Sequence, residues 1–156
     1  MCKNIILIKL NYKIQTFHLI IYGCGDSFDI NLFQPIKNRN FVKPFGGLWA
    51  SPINSTYGWK DWGRDNDYGN FSSQFEIECT GNTIIIDSFL DLDNLIWQKS
   101  EFGSSNPDYE KMLEFGIDMI YLTENGQHET RFSDPGLYGY DCECVLIMNP
   151  MCVKIP

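Results

Sequence analysis

The chain has 156 residues, with 12 Lys and Arg against 20 Asp and Glu, for a formal net charge of −8 at pH 7. Hydrophobic residues make up 44% and aromatic residues 15%, enough for one packed domain and too much for a disordered acidic tail; 13 Gly and 7 Pro exclude a long coiled coil. The acidity also excludes passive, non-specific binding to nucleic acid, which depends on neutralising phosphates, and leaves open an enzyme that engages nucleic acid briefly.

Six cysteines are present: Cys2, Cys24, Cys79, Cys142, Cys144 and Cys152. An even count permits a disulfide framework, but a domain of this size buries roughly two-thirds of its surface without staples. No C-x-x-C occurs, and His18 and His128 are the only histidines, so no metal site is expected. The apolar run Ile5–Ile8 is broken by Lys9 and is too short for a secretory core, and no stretch approaches the roughly 20 residues of a membrane span. The expectation is a cytoplasmic, reduced, single-domain protein (residues 1–156) with no membrane partner.

In chain order, Ile5–Leu10 and Phe17–Tyr22 read as strands, and Gly23-Cys24-Gly25-Asp26 stops the second. Asp26–Asn40 is irregular, with a small basic cluster at Lys37, Arg39 and Lys43. Pro44-Phe45-Gly46-Gly47 is a turn into a short strand, Leu48–Ser51, which Pro52 ends. Tyr57–Trp62 holds a helical turn that Asn54 or Ser55 could cap, and Arg64–Asn70 is loop. Phe75–Glu78 and Thr83–Asp87 read as a hairpin through Thr80-Gly81-Asn82. Asp91–Lys99 and Pro107–Phe115 carry helical periods, the second stopped by Gly116. Asp118–Thr123 is a strand, Glu124–Tyr140 mostly loop, Asp141–Met148 a strong strand ended by Pro150, and Val153–Ile155 a short edge. The sum is about seven strands and two or three short helices: α+β, a mostly antiparallel split sheet in one domain.

Three places join glycine, aromatic or acidic residues to a strand end: Ile20-Ile21-Tyr22-Gly23-Cys24, Gly46-Gly47-Leu48-Trp49-Ala50-Ser51, and Tyr140-Asp141-Cys142-Glu143 running into Val145–Met148. On a strand, Asp141 and Glu143 would share one face, as an acid–base or cation-stabilising pair would. The bland alternative is a solvated strand face. Trp49, Tyr57, Trp59 and Trp62 fall close together and suit a planar ring, or else a small aromatic core.

In this order the three segments resemble the ADP-ribosyltransferase superfamily. Tyr22 and Gly23 are similar to its first motif, although Tyr22 stands where the family presents His or Arg. Gly47, Leu48, Trp49 and Ser51 resemble its second motif, with one residue fewer between the aromatic and Ala50, and Gly58-Trp59 resembles the Gly-Tyr on the helix that follows. Glu143, with Asp141 two positions earlier, looks like its catalytic pair. The resemblance spans about Phe17 to Ile155. It implies an ADP-ribosyltransferase-like fold with NAD as co-substrate and a protein or nucleic acid as acceptor, in a phage-type effector, toxin or anti-defence protein. Glu143 would stabilise the oxocarbenium-like state, Asp141 would orient or deprotonate the acceptor, and Trp49 and Trp59 would hold the nicotinamide. The polar stretch Thr123–Tyr140 would choose the target. Two rivals stand beside it: a non-catalytic acidic module that binds or inhibits a basic partner, and a sugar-binding or sugar-cleaving protein, whose carboxylates would flank a bond rather than neighbour each other.

Overall fold

Burial alternates along the end of strand β1 (Lys13–Tyr22): Leu19 and Ile21 are buried, while Ile20 and Tyr22 point to the other face and are only partly covered. In the computed structural model, which describes residues 10–154, β1 is paired along its whole length with β3 (Gln74–Ile86). The expected strand Ile5–Leu10 lies outside these residues except for Leu10. No hairpin forms at Thr80-Gly81-Asn82. The 13-residue β3 runs straight through it, because β1 supplies an antiparallel partner at each of these positions. The Asn82 N–H also donates to the Asp118 carboxylate at 2.8 Å, tying β3 to the start of the next strand.

Strand β2 (Leu48–Pro52) pairs with β1 at Leu19↔Pro52 and Ile20↔Ser51, and with β7 (Cys144–Ile147) from Leu48↔Ile147 to Ala50↔Val145. Strand β6 (Met119–Leu122) is antiparallel to β7 and parallel to β3. The five strands therefore close into a ring in the order β1-β2-β7-β6-β3, in place of an open split sheet. The short β8 (Val153–Lys154) adds to β3 at Glu78 and Cys79, and β4 (Trp97–Lys99) pairs with β5 (Ser105–Pro107) as a separate ribbon. The parallel pair needs a crossover, and the segment carrying β4, β5 and helix α2 (Tyr109–Glu114) provides it. The architecture is α+β, and every pairing except β3–β6 is antiparallel.

Two apolar clusters hold the ring. Leu19, Ala50, Ile77, Met119, Val145 and Ile147, drawn from all five strands, fill its interior. Ile84, Ile86, Ile120, Leu122 and Leu146 form an outer face covered by Leu92, Leu95, Tyr109, Met112 and Ile117. Burying each such side chain stabilises the fold by roughly 1.5–3 kcal/mol before chain entropy is counted.

Several elements depart from expectation. Phe89–Asn94 forms 3₁₀ turns, not the start of a helix through Lys99; Leu92 and Leu95, three apart, satisfy that tighter period, and β4 follows. The Asp91 carboxylate anchors the turn by accepting from the Asp87 and Ser88 N–H groups, each at 2.9 Å. Helix α1 (Trp59–Asn66) runs into the expected loop Arg64–Asn70. Its first N–H, from Trp59, is capped by the Ser51 hydroxyl at 3.0 Å rather than by Asn54 or Ser55. Helix α2 starts after Asp108, whose side chain accepts from the Lys111 N–H, and Pro107 closes β5 instead. Helix α3 (Glu124–Thr130), capped by Thr123, occupies the expected loop Glu124–Tyr140. No helix among the described residues is long and apolar enough to cross a membrane.

Candidate functional site

Two consecutive glycines set the floor of the site. Gly46 and Gly47 have φ of 68° and 71°, and a Cβ on Gly47 would lie 2.8 Å from Leu146 Cδ1. Only glycine allows this tight entry into β2, which brings Trp49 and Ser51 out beside Tyr22 of β1. Ser51 then starts α1 by its cap, and α1 presents Trp59 to the same place. A cavity of about 360 Å³ lies where these elements meet the chain before β7. That volume is at the low end for sites that take a drug-sized ligand.

Of the residues singled out from sequence, Tyr22, Gly47, Leu48, Trp49, Ser51, Trp59 and Asp141 line the cavity; Gly23 and Glu143 do not. Gly23 turns the chain out of β1 and donates its N–H to the Ser73 carbonyl at 2.9 Å. The sharing of one strand face by Asp141 and Glu143 is not found. Strand β7 begins at Cys144, so both acids precede the ladder and strand alternation does not govern them. Asp141 pairs with Arg131 at 3.0 Å, both side chains mostly buried. Glu143 instead accepts from the Tyr121 hydroxyl on β6, on the side of the interior cluster. Burial and the neighbouring Glu143 push the Tyr121 phenol well above its ordinary value, so it remains a donor. The cavity face at this point is formed by Cys142 and Cys144 together with Asp141.

The aromatic rings are fixed in pairs. Trp59 stacks on Trp62 at 5.0 Å between centroids, with Tyr68 edge-on to both. Trp49 meets Tyr140 edge-on at 5.1 Å, and Tyr22 meets Phe71 at 5.4 Å. Partial burial, and then the Asp61 carboxylate, raise the Tyr22 phenol above its ordinary value. Tyr22 therefore offers a neutral hydroxyl to the cavity. Behind the Trp49 wall, the Tyr140 hydroxyl donates to Tyr109, whose own proton goes to the Val42 carbonyl. Desolvation raises both phenols, so this relay stays protonated at neutral pH.

Two further residues of the cavity, Lys43 and Tyr68, belong to none of the segments singled out from sequence. Lys43 belonged to a visible basic cluster and Tyr140 to the run before Asp141, but nothing local signals that they converge. The Lys43 ammonium sits over Trp49 at 5.2 Å and Tyr140 at 5.8 Å. Arg131, which holds Asp141, came from a stretch read as loop. No group of metal-ligating side chains occurs among the described residues, and the five described cysteines are free thiols. No protein-family model, curated protein or solved structure matches this chain.

Proposed function

We propose that the cavity binds the nicotinamide–ribose half of NAD, and that the chain transfers ADP-ribose to a macromolecule inside the cell that makes it. The observation that carries this reading is the convergence of Tyr22, Trp49 and Trp59 with one carboxylate, Asp141, around a cavity the size of a nucleoside site. Paired, edge-fixed rings suit a flat heterocycle because they bury it at little entropic cost. Breaking the ribose–nicotinamide bond sends the bonding pair to nicotinamide and leaves positive charge on the ribose. A carboxylate on the cavity wall stabilises that charge, and the acceptor's nucleophile then bonds to the ribose carbon and gives up its proton to solvent water. In this reading Asp141 is the carboxylate, Arg131 its positioning residue, and Glu143 a structural partner of Tyr121 rather than the catalytic residue the resemblance implies.

Incubation with NAD is expected to release nicotinamide. Asp141→Asn should slow release by about 10²-fold or more, the scale of losing one preorganised electrostatic group, while Glu143→Gln should leave it nearly unchanged. Release at the same background rate from wild type and Asp141→Asn overturns the reading. A loss confined to Glu143→Gln restores the residue assignment drawn from resemblance. One observation favours the non-catalytic alternative, an acidic module for a basic partner: the carboxylate of the cavity is already engaged by Arg131. That reading expects no change in melting temperature with NAD and capture of a basic protein.

A further inference from the structure

We infer that Lys43 is the anion site of this cavity, and that the ligand is a diphosphate-bearing dinucleotide that passes over Lys43 into a second groove. The inference deepens the NAD reading and rests on it for the identity of the ring. A cavity of about 360 Å³ takes one ring and its ribose, so the rest of a dinucleotide must leave by the mouth. A larger groove of about 680 Å³ lies beside it, and Lys43 lines both. The neutral Tyr22 cannot pair with a phosphate. Of the other cations near the cavity, Arg131 is committed to Asp141, and Lys60, over the Tyr22 ring at 5.9 Å, does not line the second groove. Lys43 makes no ion pair among the described residues. It contacts ring faces instead, at Trp49 and Tyr140, which leaves its three N–H donors without a carboxylate.

Its placement is also built. The Val42 carbonyl, one residue earlier, is fixed by the Tyr109 hydroxyl. The stem of Lys43 lies close to Gly139, where an added Cβ would only touch Cδ and Cε at 3.9 Å. Beyond Lys43 the groove offers Lys99, Asn40 and Ser133, with Asp134 the only acid among the described residues of its lining. Phe41 and Tyr138 stand exposed on the same lining, available to a second base.

The test compares wild type, Lys43→Met and Lys43→Arg against NAD, ADP and nicotinamide riboside, by melting temperature and direct titration, with circular dichroism to check folding. Methionine keeps the stem over Trp49 and removes the charge. The expected result is a loss of about ten- to hundredfold in NAD and ADP affinity for Lys43→Met, recovery in Lys43→Arg, and unchanged affinity for the riboside, which carries no phosphate. Salt should weaken NAD binding in wild type more than in Lys43→Met. Equal NAD affinity in wild type and Lys43→Met overturns the inference, as does a wild type that binds the riboside but neither NAD nor ADP. That second outcome leaves the ring site standing. Binding of none of the three overturns both readings.

Discussion

Asp141 and Glu143 stand two residues apart and meet different partners: a charged guanidinium for one, a neutral phenol for the other. Their spacing was legible and their directions were not, because side-chain alternation holds only inside a ladder and this one starts at Cys144. The same offset turns Cys142 and Cys144 toward the cavity. Desolvation, and then the Asp141 charge, push the Cys142 thiol up to about 12, so at pH 8 it is almost wholly neutral. Iodoacetamide at that pH should alkylate exposed Cys24 well before Cys142, as peptide mapping would read; equal rates would mean that the cavity is far wetter than this. The phenol relay makes a second prediction. Tyr109→Phe removes the donor to the Val42 carbonyl and the acceptor for Tyr140, at a cost of about 1–3 kcal/mol in urea unfolding. Because folding raises both phenols above 10.0, the unfolded chain releases protons there that the native state keeps. The stabilisation linked to these two phenols is therefore constant below about pH 10 and falls above it, and Tyr140→Phe should make the fall shallower in melting scans from pH 8 to 11.5.

At the level of elements, strands that alternate or run apolar are readable: β6 and β7 sit within the segments whose residues announce them, β2 runs one residue past its segment to Pro52, and β1 starts four residues before its segment, at Lys13. Helix α3 was not, and its buried residues explain why. It turns Gly126, Gln127 and Thr130 inward, so no apolar period exists to detect. What it does have is a cap at Thr123, with its hydroxyl on the Gly126 N–H at 3.0 Å, and a glycine where helix and strand touch. A Cβ on Gly126 would collide with the Ile86 carbonyl at the end of β3. Gly126→Ala should therefore cost about 1–3 kcal/mol in stability, since backbone cannot move aside as a side chain can. It should also disturb Arg131 just beyond the helix, and with it Asp141. A stability equal to wild type would show that α3 docks less closely than described. The reading of Asp91–Lys99 as a helix failed for a different reason: a 3₁₀ turn and the first turn of an α-helix place apolar residues at nearly the same spacing.

At the scale of the molecule, the α+β class followed from local pattern, but ring closure did not. Closure depends on β1 finding β3 some 60 residues later, and neither strand carries a mark of its partner. The cavity shares that origin: Tyr22, Lys43, Trp59 and Asp141 come from four separate stretches, and only the fold gathers them. The ring is not equally firm all round. β1 and β3 are matched over ten residue pairs, whereas β1 and β2 meet at two, one of which is Pro52, a residue with no N–H to give. The short seam borders the cavity through Ile20 and Ser51. In native-state hydrogen exchange, the amides of Ile20 and Ser51 should therefore trade their protons for deuterium sooner than those of Ile77 and Cys79 in β3. Opening along that seam would part the wall of the cavity itself, so the weakest pairing of the barrel and the entrance to its cavity are one feature.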